Sequence, residues 1–438
     1  MKAKKVHILT YGCQMNVSDS EKISSSLRSV GYEPTGTIDD ADMVILNTCS
    51  VRAKAEEKIY GILFTMKGEL KKKPNLLIGV GGCVAQQEGE KLLAKVPHLN
   101  FVFGTHSLHL LPQMVRAAEG GRRVAETNFI DNDSRLDLFP SMGEAGGVTR
   151  FVTIMQGCDN YCSYCIVPYV RGREISRRAG DILEEIRIAA DNGTREVTLL
   201  GQNVNSYGLK GGDGTDFATL LRRVSGIKGI ERIRFMTSHP KDISSPLIQC
   251  FADMEKLCSH IHLPVQSGSD RVLSMMNRGY TRGEYLEKVA LLRAARPDIH
   301  FTSDIIVGFP GEDEDDFQDT LSLMEEVSYA DTYLFIYSPR PETIAAGMTD
   351  NTSRGEKQKR FDQLLDLQKR MSRKLHRSYI GKDLEVLVEG AGKHEGQVSG
   401  RSSGNRIVNF TGSLDMVGSI RSVRIVKDFQ NSLLGEIH

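Results

Sequence analysis

Short apolar runs alternate with amphipathic stretches from the amino terminus to about residue 120. Val6-His-Ile-Leu-Thr, Met43-Val-Ile-Leu-Asn and Leu76-Leu-Ile-Gly-Val-Gly-Gly have the length and apolar content of buried strands. Helical periodicity covers about Ser18 to Val30, Ala53 to about Lys73, and the stretch after Cys83 to about Val96. Strands that alternate with helices predict a parallel sheet built from right-handed crossovers. All strand carboxyl ends then lie on one edge, where ligands bind. Residues 121–147 are polar, turn glycine-rich at Gly143-Glu-Ala-Gly-Gly, and read as a linker. From Phe151 the alternation resumes, with strands near 151–155, 197–200, 231–236, 260–265, 300–307 and 331–337. Helices are expected near 181–191, 216–225, 246–255, 282–295 and 313–327. Six strand–helix units predict an incomplete (β/α)6 barrel with its chemistry at the strand carboxyl ends.

Residues 354–378 read as one long amphipathic helix, with Phe361, Leu364, Leu365, Met371 and Leu375 on one face. The rest of that helix carries nine Lys/Arg against three Asp/Glu, a local net of +6. After Tyr379 the texture becomes short alternating strands near 384–388, 396–399, 406–410 and 420–426. These predict a small antiparallel β-barrel of the kind that oligonucleotide binders use. Arg401, Asn405, Arg406, Arg421 and Arg424 would give it donors for phosphates. The expected parts are therefore 1–120, a linker over 121–147, 148–378 and 379–438.

The chain has 438 residues, more than one core comfortably serves. With 56 Lys/Arg against 56 Asp/Glu, overall charge gives no argument for nucleic acid, so any such argument must be local. No apolar run approaches a membrane span, and the basic start at Met1-Lys-Ala-Lys-Lys leads straight into a strand rather than a signal peptide. A cytoplasmic location without membrane association is expected. Eight cysteines in such a chain point to metal or redox use rather than to disulfides.

Three of those cysteines, Cys158, Cys162 and Cys165, share the run Gly157-Cys-Asp-Asn-Tyr-Cys-Ser-Tyr-Cys. A structural zinc wants four ligands, usually in two separated pairs. Three thiols in one loop, interleaved by Asp159, Asn160 and Ser163 read as solvent-facing, suit an iron–sulfur cluster with one open metal position. The spacing, with aromatic Tyr164 before the last cysteine, resembles the radical-SAM signature. Cys13, Cys49 and Cys83 each fall directly after a predicted strand of the first sheet, so all three should emerge on one edge as a second thiolate site. Gly79, Gly81 and Gly82 lack the full dinucleotide spacing and the acidic residue that follows it. Close backbone approach to a cluster is their expected role. Cys250 and Cys258 lie off both patterns and read as bystanders.

Nearly the whole chain resembles the radical-SAM methylthiotransferase family, which joins a flavodoxin- or Rossmann-like domain, a radical-SAM core and a carboxyl-terminal TRAM barrel. Ala41-Asp-Met-Val-Ile-Leu-Asn-Thr-Cys49 is similar to its second cluster motif, and Gly157 to Gly172 to its core motif. Leu200-Gly-Gln-Asn-Val-Asn-Ser-Tyr207, His262-Leu-Pro-Val-Gln-Ser-Gly-Ser269, Ser303 to Glu312 and Ser399 to Phe410 resemble the MiaB branch specifically. The resemblance implies methylthiolation of carbon 2 of N(6)-isopentenyladenosine beside the tRNA anticodon. Sister branches act on threonylcarbamoyl-adenosine in tRNA or on an aspartate of a small-subunit ribosomal protein. A non-enzymatic alternative is an iron–sulfur RNA-binding protein.

By that resemblance, Cys158, Cys162 and Cys165 hold a 4Fe–4S cluster that cleaves S-adenosylmethionine to a 5′-deoxyadenosyl radical. Cys13, Cys49 and Cys83 hold an auxiliary 4Fe–4S or 3Fe–4S cluster whose sulfur is methylated by a second S-adenosylmethionine. Gln202, Asn203, Gln266, Asp304 and Gly308 are implied to position that cofactor, with Tyr164 against its adenine. The implied partners are the tRNA anticodon stem-loop and a low-potential donor, flavodoxin or ferredoxin, for an enzyme expected to be monomeric.

Overall fold

The computed structural model describes residues 3–50, 53–130, 146–210 and 213–437, with the side chains of 53–57 outside that description. The chain divides into two compact units. The first comprises Met1–Ala145, Met155–Asp159 and Cys165–Arg177, and the second Gly146–Ile154, Asn160–Tyr164 and Arg178–His438.

In the first unit, β1 (Lys4–Thr10), β2 (Tyr32–Pro34), β3 (Met43–Thr48), β4 (Leu77–Gly82), β5 (Phe101–Phe103) and β6 (Val124–Glu126) form one parallel sheet. Their order is β2-β1-β3-β4-β5-β6. Every position of β3 is buried, with Val44 and Leu46 in the core on one face and Met43 and Ile45 in the core on the other. A strand covered on both faces reads as a continuous apolar run, which is why the sequence reveals it. Helices Gln14–Arg28 and Leu111–Glu119 cover one face, and helix Ala53–Lys72 covers the other. The strand order reverses direction between β1 and β3, a flavodoxin-type arrangement whose ligand position is that reversal.

Local expectations need correcting here. The first helix starts at Gln14 rather than near Ser18, because Cys13 occupies its amino-terminal cap position. The stretch after β4 is two short helices, Cys83–Glu88 and Glu90–Lys95, broken at Gly89. β6 pairs with β5, so residues 124–126 belong to the sheet and not to the linker read over 121–147. Residues 131–145, which include most of the glycine-rich run of that linker, lie outside the described residues. Gly79 and Gly81 answer to packing rather than to a cluster: a Cβ on either would stand 2.2 Å from the ring of Phe101 or Phe103.

The second unit opens with β7 (Thr149–Thr153), after which β8 (Met155–Gln156) and β9 (Ile175–Ser176) form an antiparallel pair within the first unit. Then follow β10 (Glu196–Leu200), β11 (Arg232–Phe235), β12 (His260–His262), β13 (His300–Val307) and β14 (Asp331–Ile336). They form two parallel three-stranded sheets, β11-β10-β7 and β12-β13-β14, joined through an isolated parallel bridge between Ile233 and Leu257. This is the expected strand–helix series, and β12 is shorter than read. Helix Arg354–Arg377 leads to a closed barrel of β15 (Asp383–Ala391), β16 (Gln397–Ser402), β17 (Ile407–Thr411), β18 (Ile420–Asp428) and β19 (Leu433–Ile437). The barrel is not wholly antiparallel, since β17 pairs parallel with β19, a closing strand that the sequence pattern does not predict.

Candidate functional site

Three adjacent strands, β1, β3 and β4, deliver Cys13, Cys49 and Cys83 to one sheet edge. Cys49 follows β3 directly, and Cys83 is the first residue of a helix that starts where β4 stops. Gly12 has φ +127°, and a Cβ there would lie 2.4 Å from the Cys49 Cβ, so glycine is what lets the Cys13 turn approach Cys49. Buried amides brace the same edge. Asn16 Nδ2 donates to Asn47 Oδ1 at 3.1 Å and to the Thr48 carbonyl at 3.0 Å. Asn47 Nδ2 donates back to the Asn16 carbonyl at 2.8 Å.

The positive charge of Arg171 pulls both Cys13 and Cys83 toward the thiolate form. The hydrogen bond with Cys49 is the main cause that brings the Cys13 thiol down to about 6, assisted by the positive charge of Arg171. Burial pushes the Cys83 thiol up, and Arg171 pulls against it. Arg171 is buried and its Nη2 donates to Asp19 Oδ2 at 2.9 Å. Its segment packs on the same edge, with Ile166, Tyr169 and Val170 against Cys83. Among the described residues no three His, Cys, Asp or Glu side chains close on a position for a single metal ion. Three thiols beside a buried guanidinium and two helix starts suit an anionic iron–sulfur cluster, whose thiolates spread over several irons.

The second cysteine set sits in a stapled loop. Cys158, Cys162 and Cys165 are each half-buried. Within the first unit, the Cys158 N–H donates to the Gly172 carbonyl at 3.3 Å, and Asp159 Oδ1 accepts from the Glu174 N–H at 3.2 Å. Within the second unit, the Ser163 N–H donates to the Met276 carbonyl at 3.0 Å, and its hydroxyl donates to the Met275 carbonyl at 2.8 Å. Asn277 Nδ2 donates to the carbonyls of Asn160 and Tyr161 at 3.3 and 3.0 Å. The interleaving residues are thus staples rather than solvent-facing fillers, and Ser163 is buried. Arg278 carries no signal in the sequence, yet its Nη1 donates to Cys162 Sγ at 3.3 Å and to Tyr164 Oη at 3.4 Å.

The other expected cofactor residues lie at strand ends in differing states. Tyr164 packs among Val272, Met276 and Phe309. Gln202 is half-buried after β10. Asn203 is engaged, its Nδ2 donating to Asp242 Oδ2 at 2.7 Å and its Oδ1 accepting from the His239 N–H at 3.1 Å. Gln266, at φ +77°, donates its N–H to the Asp304 carbonyl at 2.9 Å, which joins those two positions. His262 Nε2 stands 3.5 Å from Asp304 Oδ1. The Gly308 N–H donates to Glu312 Oε1 at 2.9 Å, and that carboxylate pairs with buried Arg360.

The expected RNA donors fare unevenly. Arg406 is buried, its Nη1 donating to the Ala330 carbonyl at 3.5 Å and reaching His376 Nε2 at 3.4 Å, so it does not face solvent. Arg401 pairs with Glu389 and donates to Asn405 Oδ1, while Arg424 grips Asp383 through two bonds. Arg421 is exposed. On helix Arg354–Arg377, Lys357 and Arg360 are buried and paired with Asp350 and Glu312, and Leu367 and Gln368 join Leu364 in the covered stripe. Arg370, Arg373, Lys374 and Arg377 remain exposed, at a spacing that puts them on one face. Cys250 and Cys258 are buried. No helix among the described residues is long and apolar enough to cross a membrane.

Three family models match in series: Uncharacterized protein family UPF0004 over residues 5–104, the Radical SAM superfamily over 152–324, and the TRAM domain over 377–438. The tRNA-2-methylthio-N(6)-dimethylallyladenosine synthase of Geobacter sulfurreducens is 64% identical over 99% of this chain and 97% of its own. The protein of the same name from Geotalea uraniireducens is 63% identical over 99% of both. Among solved structures, the radical S-adenosylmethionine methyltransferase TsrM from Kitasatospora setae superposes with a TM-score of 0.59 at 13% identity. That match covers 79% of this chain and 74% of TsrM. The cobalamin-dependent S-adenosylmethionine radical enzyme OxsB gives 0.54 at 14% identity, over 85% of this chain and 56% of its own. At such identity the two structures speak for the fold alone.

Proposed function

This chain belongs to the family of tRNA-2-methylthio-N(6)-dimethylallyladenosine synthases within the radical SAM superfamily, and on that premise we propose that it places a methylthio group on carbon 2 of N(6)-isopentenyladenosine beside the tRNA anticodon. The observation that carries this reading is 64% identity sustained over 99% of the chain. It favours the isopentenyl substrate over the threonylcarbamoyl and ribosomal-protein alternatives.

The hydrogen on an adenine carbon 2 has no acidity that a side-chain base could use, so the hard chemistry must be borrowed. When bound, S-adenosylmethionine on a reduced 4Fe–4S cluster supplies one-electron abstraction of that hydrogen, and an auxiliary cluster supplies the sulfur. Cys158, Cys162 and Cys165 would hold the first group, and Cys13, Cys49 and Cys83 the second, of four or three irons. Two S-adenosylmethionine molecules would serve each product. Gln202, Gln266, Asp304 and Gly308 would receive the cofactor at the strand ends, with Tyr164 lining its adenine. Asn203, already engaged by Asp242 and His239, would act by shaping the turn after β10.

RNA would be held by the exposed face Arg370, Arg373, Lys374 and Arg377 together with Arg401, Asn405, Arg421 and Arg424 of the barrel. The anticodon stem-loop is the part it would grip. Functional boundaries would run at 1–126, 148–378 and 379–438, with the linker starting after β6. A cytoplasmic monomer served by flavodoxin or ferredoxin completes the reading. Mass spectrometry of tRNA nucleosides from a strain lacking the gene tests it. Selective loss of the methylthio-isopentenyl nucleoside is expected, and its persistence would refute the assignment.

A further inference from the structure

Arg278 is a buried cation. It is 4% exposed, and among the described residues its anion-forming neighbours are Tyr280, Tyr164 and Cys162 rather than a carboxylate. Its guanidinium is instead fully built in. Nε donates to Tyr280 Oη at 3.0 Å, Nη2 to the Pro264 carbonyl at 2.7 Å, and Nη1 to Cys162 Sγ at 3.3 Å and Tyr164 Oη at 3.4 Å. Tyr280 is itself fixed, its hydroxyl donating to the Val265 carbonyl at 2.7 Å. The residue before Arg278, Asn277, sits at φ +55° and clamps the same cysteine loop through the carbonyls of Asn160 and Tyr161.

A guanidinium does not deprotonate in proteins, so its positive charge must be compensated where it is buried. Phenols and carbonyls only share its hydrogen bonds. Of its partners, Cys162 alone takes on negative charge readily, as a thiolate ligand. Hydrogen bonds to ligand sulfurs are among the factors that set the potential of an iron–sulfur cluster.

We propose that Arg278 is a positioning residue for the cysteine loop that also eases reduction of the cluster held there, by donating its Nη1–H to Cys162 Sγ. The inference rests on Cys162 being a cluster ligand. Reduction adds one electron from an external low-potential one-electron donor to the cluster, with no bond made or broken at Arg278. The added negative charge falls partly on the ligand sulfurs, and the donor hydrogen bond with the fixed positive charge stabilises it. The reduced state therefore gains more than the oxidised state, and the potential rises.

The test is a redox titration of the anaerobically reconstituted full chain with dithionite, read by electron paramagnetic resonance. The signal to follow is the one that changes when S-adenosylmethionine is added. In Arg278→Gln the ratio of reduced to oxidised cluster at a fixed potential should fall roughly tenfold, which is about 59 mV for one electron. Arg278→Lys, which keeps charge and a donor, should recover part of the shift. Superimposable titration curves for the native and Arg278→Gln proteins at equal iron content would overturn the proposal. So would failure of both variants to hold the cluster, since that assigns Arg278 to loop folding alone. A native chain with no reducible, S-adenosylmethionine-responsive cluster would instead defeat the reading of Cys162 as a ligand.

Discussion

Asn16 and Asn47 hold each other: Asn16 Nδ2 donates to Asn47 Oδ1 at 3.1 Å, and Asn47 Nδ2 returns a bond to the Asn16 carbonyl at 2.8 Å. One stands three residues after Cys13 and the other two before Cys49, so the pair sets the spacing of those two thiols. Both residues are fully buried, and removing either side chain takes from the other the one bond between the two amides, Nδ2 to Oδ1, leaving a buried polar atom a partner short. Asn16→Ala and Asn47→Ala should each cost about 1–3 kcal/mol in denaturant unfolding. The double variant should cost less than the sum, because the two share one interaction. Iron retained after reconstitution should fall in each.

Gly12 gives a sharper test of the same edge. With φ +127° and the Cys49 Cβ 2.4 Å from where its own Cβ would stand, Gly12→Ala must push Cys13 and Cys49 apart. Iron content should fall, whereas Gly36→Ala, with nothing within 4 Å, should leave it unchanged. Equal iron in the two variants would show that this close approach has no bearing on the auxiliary site.

How much of this was legible in the sequence follows from what each residue depends on. Cys13, Cys49 and Cys83 could be grouped because each ends an apolar strand run, and a parallel sheet carries all strand ends to one edge. Arg171, Arg278, Asn16 and Asn47 could not, since a polar residue far away in sequence gains its meaning only when the fold buries it beside a sulfur or an amide. Arg406 misled for the opposite reason. Its neighbour Asn405 turns at φ +64°, and the arginine faces His376 and Ala330 inside rather than solvent. β19 was invisible because Leu433-Leu-Gly-Glu-Ile is short, ungrouped and interrupted by glycine. On the basic helix, charge count overstated the available surface by including Lys357 and Arg360.

That correction makes the RNA surface testable. Replacing Arg370, Arg373 and Lys374 together with serine should weaken tRNA binding. The slope of log affinity against log salt should flatten by about 0.7–0.9 for each phosphate that is no longer neutralised. Arg406→Lys, by contrast, should lower the unfolding midpoint while leaving the salt slope unchanged, because its guanidinium is spent on internal partners. A flattened slope in Arg406→Lys would return that residue to the interface.

Buried neutral histidines predict acid sensitivity. Burial first, then the charges of Arg278 and Lys241, bring His239 down to about 2. His260, His300 and His376 are also lowered, chiefly by burial. Below the ordinary value of about 6.5, the unfolded chain binds protons that the folded chain refuses. Stability should therefore fall as pH drops from about 6.5, with His239 alone contributing about 2 kcal/mol of loss between pH 7 and 5. His239→Gln should show a shallower acid limb in thermal or denaturant unfolding, and an unchanged limb would place the proton uptake elsewhere.

Two cysteine sets with separate tasks stand at the centre of the proposed reaction, and Cys49→Ala addresses that division directly. The variant, reconstituted anaerobically, is given S-adenosylmethionine, dithionite and isopentenylated tRNA, and both deoxyadenosine and methylthiolated nucleoside are measured. Deoxyadenosine should still form while methylthiolation stops. Loss of both with the cluster of Cys158, Cys162 and Cys165 intact, or methylthiolation that survives, would contradict the division.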